Sequence, residues 1–270
     1  MPAPDLRHYD AVLIDLDGTF YREEKHAATV LPGAVELVQA LRRRGQPFAC
    51  LTNSGGSPGQ LSRRLASMGA DIEPELIWSC SAAAAEYVVG RFGKDRPPRV
   101  FNLAADGTTE LLDGRVIWVE TPDEPCDAVM VAAPINPLAS PARQWIALQL
   151  VRRGAALVGQ CADRVYPSDR GAEFGAGALT EMLAYAANVN PVYCGKPEAL
   201  FYEQLCARID AAPDRCVLIG DNLDSDVAGA RGVHMQSILV LSGVSTAAEA
   251  HARPPHLRPE HIINSLTELG

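Results

Sequence analysis

Ala11-Val12-Leu13-Ile14 runs directly into Asp15-Leu16-Asp17-Gly18-Thr19. Four consecutive apolar, β-prone residues read as a strand buried on both faces, as in a parallel sheet. The two carboxylates and the glycine then fall at the C-terminal end of that strand. Open parallel sheets place their ligands at that end.

The pattern repeats outward from this stretch. Residues 21–28 are polar. Pro32 opens a helical pattern with apolar positions at Ala34, Leu37, Val38 and Leu41, closed by basic residues and Gly45. Phe48-Ala49-Cys50-Leu51 is a second apolar strand, ending in Thr52-Asn53-Ser54-Gly55-Gly56. Strand, helix, strand, with both strands apolar, predicts an α/β fold with helices on the faces of a parallel sheet. Cys216-Val217-Leu218-Ile219 restarts the pattern and ends in Gly220-Asp221, and 237–241 is a further strand. Between these halves, 99–103, 127–132 and 155–158 read as strands, and 82–89, 141–151 and 178–187 as helices. Asp113-Gly114 suits a hairpin turn. The expected organisation is a discontinuous core, 1–79 and 189–270, interrupted by an inserted domain at 80–188.

Composition narrows the function. The 270 residues carry 24 Lys and Arg against 33 Asp and Glu, a formal net charge of −9. Such a chain lacks the electrostatic footprint for nucleic acid or for an anionic membrane surface, so neither is expected as a partner. No apolar run approaches the roughly 20 residues that span a bilayer. The N-terminal residues have no apolar core of a signal peptide. Seven cysteines without a C-x-x-C pair read as reduced thiols in a cytoplasm.

Four polar stations carry the chemistry. Asp15 and Asp17 can divide labour as nucleophile and proton carrier. Thr52-Asn53 ends the second strand. Lys196 stands between Gly195 and Pro197, before a helical pattern. Gly220-Asp221-Asn222-Leu223-Asp224-Ser225-Asp226 follows the later strand. Each has an ordinary structural reading: an Asp-Gly turn, a helix N-cap region, a solvated lysine, and an acidic loop capping a helix. Acid pair, hydroxyl, lysine and second acid cluster, in that order, are hard to explain structurally. Gly171-x-x-x-Gly175-x-Gly177 resembles a phosphate loop only loosely and reads better as a turn into a helix. His26 reads as solvated, with substrate contact the less favoured alternative.

On these motifs the chain resembles the haloacid dehalogenase-like superfamily of phosphotransferases. It is most similar to the subclass with a large α/β cap between the second and third motifs, which includes NagD-type and nitrophenyl phosphatases. Leu31-Pro32-Gly33-Ala34, Tyr166-Pro167 and Gly195-Lys196-Pro197 also match that subclass. Two stretches depart from it. A Thr-Asn-Pro-Asp loop here reads Gln160-Cys161-Ala162-Asp163, and a Gly-Leu-Asp strand end reads Ala132-Ala133-Pro134.

The resemblance implies a Rossmann-like parallel-sheet core with an inserted α/β cap. It implies a magnesium-dependent phosphatase acting on a small soluble phosphomonoester through an aspartyl-phosphate. Asp15 would be the nucleophile and Asp17 the acid and base. Thr52 (by hydroxyl) and Asn53 (by backbone N–H) would bind the phosphoryl oxygens, with Lys196 adding positive charge. Mg2+ would be held by Asp15, Asp221 and the backbone carbonyl of Asp17, with Asp226 behind them. Asp163 and Arg164 are the candidate cap contacts to substrate, and caps of this subclass can pair into homodimers. Asp17 argues against a dehalogenase, which needs no acid there, and against P-type ATPases, which carry Lys. Only 37 positions separate Asp15 from Thr52, too few for the small helical cap of the familiar phosphomutases. A phosphomutase and a non-catalytic phosphometabolite-binding or regulatory protein remain the alternatives.

Overall fold

In the computed structural model, which describes residues 4–24, 27–104, 106–134, 137–168 and 171–269, the first motif's strand forms over Ala11–Asp15 with all five residues buried. Phe48–Thr52 and Cys216–Gly220 are buried along their whole length as well. Strands without a solvent face need neighbours on both edges and cover on both faces. These three form the centre of a six-stranded sheet ordered His261–Ile263, Gln236–Val240, Cys216–Gly220, Ala11–Asp15, Phe48–Thr52, Ile77–Ser79. The pairings from His261–Ile263 across to Phe48–Thr52 are parallel. Counted along the chain, the first three strands run outward from Ala11–Asp15 to one side. The last three start again on its other side. That reversal opens a crevice at the C-terminal ends of Ala11–Asp15 and Cys216–Gly220, the switch point where open α/β sheets bind ligands.

The helix after the first strand spans Ala34–Arg44 and buries Ala34, Leu37, Val38, Ala40 and Leu41. Gly45 ends it in the left-handed conformation, φ 62°, with its N–H on the Leu41 and Arg42 carbonyls. The buried face packs with Val12, Ile14, Ile219 and Val240 in one apolar core. The polar stretch after the first motif forms a two-stranded antiparallel hairpin, Tyr21–Glu24 with Ala27–Val30. His26 lies outside the described residues.

The chain forms two compact units. The first takes Met1–Thr52, Leu61–Trp78 and Lys196–Gly270, and the second takes Asn53–Gln60 and Ser79–Gly195. Set beside the expected division, the second unit also contains 53–60, Ser79 and 189–195. Side chains of the second unit bind the 53–57 backbone and so account for the first of these. The Cys80 thiol donates to the carbonyls of Asn53 (3.0 Å) and Ser54 (3.3 Å), and Ser81 Oγ donates to the Gly55 carbonyl at 2.6 Å. Ser57 Oγ donates to Glu110 at 2.9 Å.

The second unit has its own parallel sheet, ordered Val192–Tyr193, Ala156–Gly159, Ala128–Val131, Arg99–Leu103, Ile117–Trp118. Its core joins Phe101, Val129 and Leu157 to Leu150 and Leu183 of the helices Pro141–Arg152 and Ala176–Ala187. Asp113-Gly114 does not make a hairpin. It follows the helix Asp106–Leu112, and Ile117–Trp118 then pairs in parallel with Arg99–Leu103. An Asp-Gly pair serves a helix end as readily as a hairpin, because both need a residue at positive φ. Sequence reading also missed the antiparallel hairpin Val165–Ser168 with Gly171–Phe174.

Candidate active site

Asp15 closes the central strand, and its carboxylate is buried. Asp15 Oδ1 accepts from Lys196 Nζ at 2.5 Å. The same ammonium donates to Asp226 Oδ1 at 2.7 Å. Lys196 is buried too, so one cation bridges two carboxylates away from water. Burial works against the Lys196 charge, but Asp15 and Asp226 hold its pKa well above the usual lysine value. Burial pushes the Asp15 carboxyl well up. Lys196 pulls it down, and Asp226 and Asp221 push it up again.

Asp221 follows the last residue of Cys216–Gly220 and so stands beside Asp15 across the switch point. Its Oδ2 accepts from the Val244 N–H at 2.6 Å. Burial, then Asp226, raise its carboxyl to about 6. Two glycines let the backbone close around it. A Cβ at Gly243 would stand 1.8 Å from Asp221 Oδ2, and one at Gly18 would stand 2.5 Å from it. Gly18 also has φ +87°, which L side chains rarely adopt. Ser242 Oγ donates to the Gly18 carbonyl at 2.7 Å and ties these two turns together.

Asp226 sits in a π-helical turn, Leu223–Val227, capped by Asn222, whose side chain accepts from the N–H groups of Asp224 and Ser225. Such single turns recur at functional sites. Asp226 Oδ2 accepts from the Asn222 N–H at 3.1 Å, so both of its oxygens are engaged. Beneath it, Tyr202 Oη donates to the Ser225 carbonyl at 2.9 Å.

Carboxylate oxygens of Asp15, Asp221 and Asp226 lie within 4.8 Å of one another, all buried. Three carboxylates face one ammonium. Asp15 Oδ2 is buried with no hydrogen-bond partner among the described residues. An open buried carboxylate oxygen in an acid-rich, all-oxygen cluster suits a hard divalent cation such as Mg2+.

The first unit brings together Asp15, Lys196, Asp221 and Asp226. Asp17 is exposed and Thr52 is buried, and Asp17 Oδ2 accepts from Thr52 Oγ1 at 3.0 Å, so the two expected residues meet at the same strand ends. Asn53 and Asp163 meet in the second unit, where Asn53 Nδ2 donates to Asp163 Oδ2 at 3.1 Å. Arg164 is exposed. Sequence reasoning missed Gly243, Val244 and Tyr202. None belongs to a motif with a chemical signature, and each reaches the site only through the sheet order. Gly175 is the N-cap of Ala176–Ala187, in keeping with the turn reading.

The family described as haloacid dehalogenase-like hydrolase matches residues 12–115, and a second description, HAD-hydrolase-like, matches 193–269. These two spans hold all four stations. The chain belongs to the haloacid dehalogenase-like hydrolases. It is a phosphatase of that family. It is 27% identical to the 5'-nucleotidase YutF of Bacillus subtilis (strain 168) over 97% of this chain and 98% of that one. It is 29% identical to a dihydroxyacetone phosphatase of Corynebacterium glutamicum (strain R), covering 96% and 90%. A double mutant of the thermostable NPPase from Geobacillus stearothermophilus shares its fold with a TM-score of 0.84, at 27% identity over 97% and 98% of the two chains. This haloacid dehalogenase-like phosphatase therefore matches known phosphatases across both of its units.

Proposed function

We propose that this phosphatase hydrolyses a small soluble phosphomonoester in a magnesium-dependent reaction that passes through an aspartyl-phosphate on Asp15. The observation that carries the reading is the buried bridge of Lys196 between Asp15 and Asp226, at the switch point, with Asp15 Oδ2 left open. Asp15 and Asp221, with the backbone carbonyl of Asp17, are the residues to hold Mg2+, which when bound supplies the positive charge that a phosphate dianion needs beside an attacking carboxylate.

Asp15 attacks phosphorus and the alcohol leaves. Lys196 keeps a fixed charge beside the phosphoryl oxygens and holds Asp15 in one orientation. Asp17, exposed at the mouth of the site, donates a proton to the leaving oxygen and then takes one from the water that cleaves the acyl phosphate. The Thr52 hydroxyl and the Asn53 backbone N–H bind the phosphoryl oxygens. Asp226 has both oxygens engaged, which supports a role in holding Lys196 rather than metal. The names of the relatives, a 5'-nucleotidase and a dihydroxyacetone phosphatase, support nucleotides and short phosphorylated carbon chains as substrate classes.

In the same reading, residues 80–188 act as the cap that meets the leaving group, and exposed Trp145, Met182 and Tyr185 supply apolar surface for pairing with a second copy. The seven cysteines, none in a disulfide among the described residues, suit a reducing cytoplasm.

The test is phosphate release from a few dozen phosphomonoesters with added Mg2+, repeated after exhaustive chelation and with Ca2+. Release that needs Mg2+ and is inhibited by Ca2+ supports the reading. Calcium accepts more ligands and would let Asp15 bind through both oxygens. Undiminished release after chelation overturns the metal requirement.

A further inference from the structure

Asp163 is a candidate cap contact to substrate, and Gly175 and Gly177 lie in the glycine-rich segment that turns into the helix Ala176–Ala187. The structure brings all three to one place. Gly177 N–H donates to the Asp163 carbonyl at 3.0 Å, and Gly175 N–H donates to the Arg164 carbonyl at 2.9 Å. A Cβ at Gly175 would stand 2.1 Å from the Asp163 carbonyl oxygen, and one at Gly177 would stand 2.4 Å from that of Ala162. The glycine-rich segment is thus a clamp on the backbone of 162–164, and only residues without a side chain allow so close an approach.

The clamp fixes the backbone that carries Asp163, whose carboxylate accepts from Asn53 Nδ2 at 3.1 Å. The other end of the same amide is enclosed as well: a Cβ at Gly195 would stand 2.6 Å from Asn53 Oδ1. The Asn53 carbonyl accepts from the Cys80 thiol. With its amide and carbonyl held, Asn53 can offer its backbone N–H to a phosphoryl oxygen only in the orientation these contacts set.

We infer that Asp163 is a positioning residue for Asn53, not a contact to the leaving group, and that the Gly175–Gly177 clamp exists to set it. The inference rests on the proposed role of Asn53 in binding the phosphoryl group. It assigns Asp163 to what every phosphomonoester shares, leaving Arg164 alone of the pair for discrimination among substrates.

The experiment uses the full chain with Mg2+. It measures kcat and KM on an aryl phosphate, dihydroxyacetone phosphate and a nucleoside monophosphate, and the affinity for inorganic phosphate by calorimetry. Asp163→Ala should lower kcat/KM by a similar factor on all three, about tenfold, the scale of a lost charge-assisted hydrogen bond. It should weaken inorganic phosphate by a comparable factor. Asp163→Asn, which keeps an oxygen for Asn53 Nδ2, should recover most of the loss. In an Asn53→Ala background, Asp163→Ala should have no further effect. Arg164→Ala should reorder the substrates. A reordering by Asp163→Ala, or an additive loss in the Asn53→Ala background, would overturn the inference. Should Asp163→Ala fail to fold, Asp163→Asn decides by the ranking of the three substrates: an unchanged ranking supports the inference and a reordering overturns it. A wild type that binds phosphate but turns over none of the three removes those compounds as substrates, while the binding arm still tests Asp163. A wild type that binds no phosphate overturns the inference.

Discussion

Lys196 Nζ stands 2.5 Å from Asp15 Oδ1, although the two residues are 181 positions apart in the chain. The pair is buried, and burial penalises both charges. Asp226 repays the lysine, whose charge is secured by two carboxylates. Asp15 is served less well. It shares Lys196 with Asp226, faces Asp221 besides, and is held well above the ordinary carboxylate range. On the proposed reading of Asp15 as nucleophile its carboxylate must be ionised, which the positive charge of a bound Mg2+ would favour.

Asp15→Asn keeps the shape and removes the charge. Turnover should vanish, and trapped phosphate label should disappear from the protein. The metal-free variant should also melt above metal-free wild type, because one of three crowded carboxylates is gone. A gain of about 1 kcal/mol would appear as about 2–4 °C in a chain of this size. Label found on any residue other than Asp15 in active wild type would refute the nucleophile assignment.

Lys196→Met removes the bridge and leaves Asp15 and Asp226 facing each other without a cation. Breaking a buried pair from one side costs about 3–5 kcal/mol. Urea unfolding should show a loss of that order together with loss of turnover. A variant as stable as wild type would mean that the carboxylates are neutral in the folded protein.

Gly243→Ala tests a residue outside every motif. Its Cβ would fall 1.8 Å from Asp221 Oδ2, so the carboxylate or the 242–244 turn must move. Mg2+ affinity by calorimetry should fall at least about tenfold, as for a lost supporting contact to a metal ligand. Unchanged affinity would place Asp221 outside the metal site.

Asp221 sets a pH dependence with a definite sign. Its folded carboxyl is raised from 3.8 to about 6. Between those values the folded chain holds a proton that the unfolded chain has released, so this group's stabilising contribution is complete below about pH 4 and is lost as pH rises through about 6. In chelator-treated protein, the Tm of Asp221→Asn minus that of wild type should grow from about pH 4 to about pH 7. Mg2+ should shrink the difference at the upper end. A flat difference across the range would mean that Asp221 is not shifted by burial.

The strands and the chemical stations were legible along the chain because both are local. Ala11–Ile14, Phe48–Leu51 and Cys216–Ile219 announce burial by unbroken apolar runs, and Asp15, Thr52 and Asp221 follow directly at their ends. The hairpin after Asp17 and that of Val165–Ser168 with Gly171–Phe174 were not legible, since such short strands carry no unbroken apolar run. What only the tertiary structure decided is which residues share a site. The strand order places Asp221 beside Asp15, delivers Lys196 between Asp15 and Asp226, and brings the Val244 N–H and Gly243 against Asp221. It also binds 53–57 to Cys80, Ser81 and Glu110 and Asn53 to Asp163, contacts between residues far apart in the chain. A motif encodes which groups the chemistry needs. Pairings across long loops depend on how the sheet is ordered and on where glycine lets one backbone approach another, and neither leaves a local pattern in the sequence.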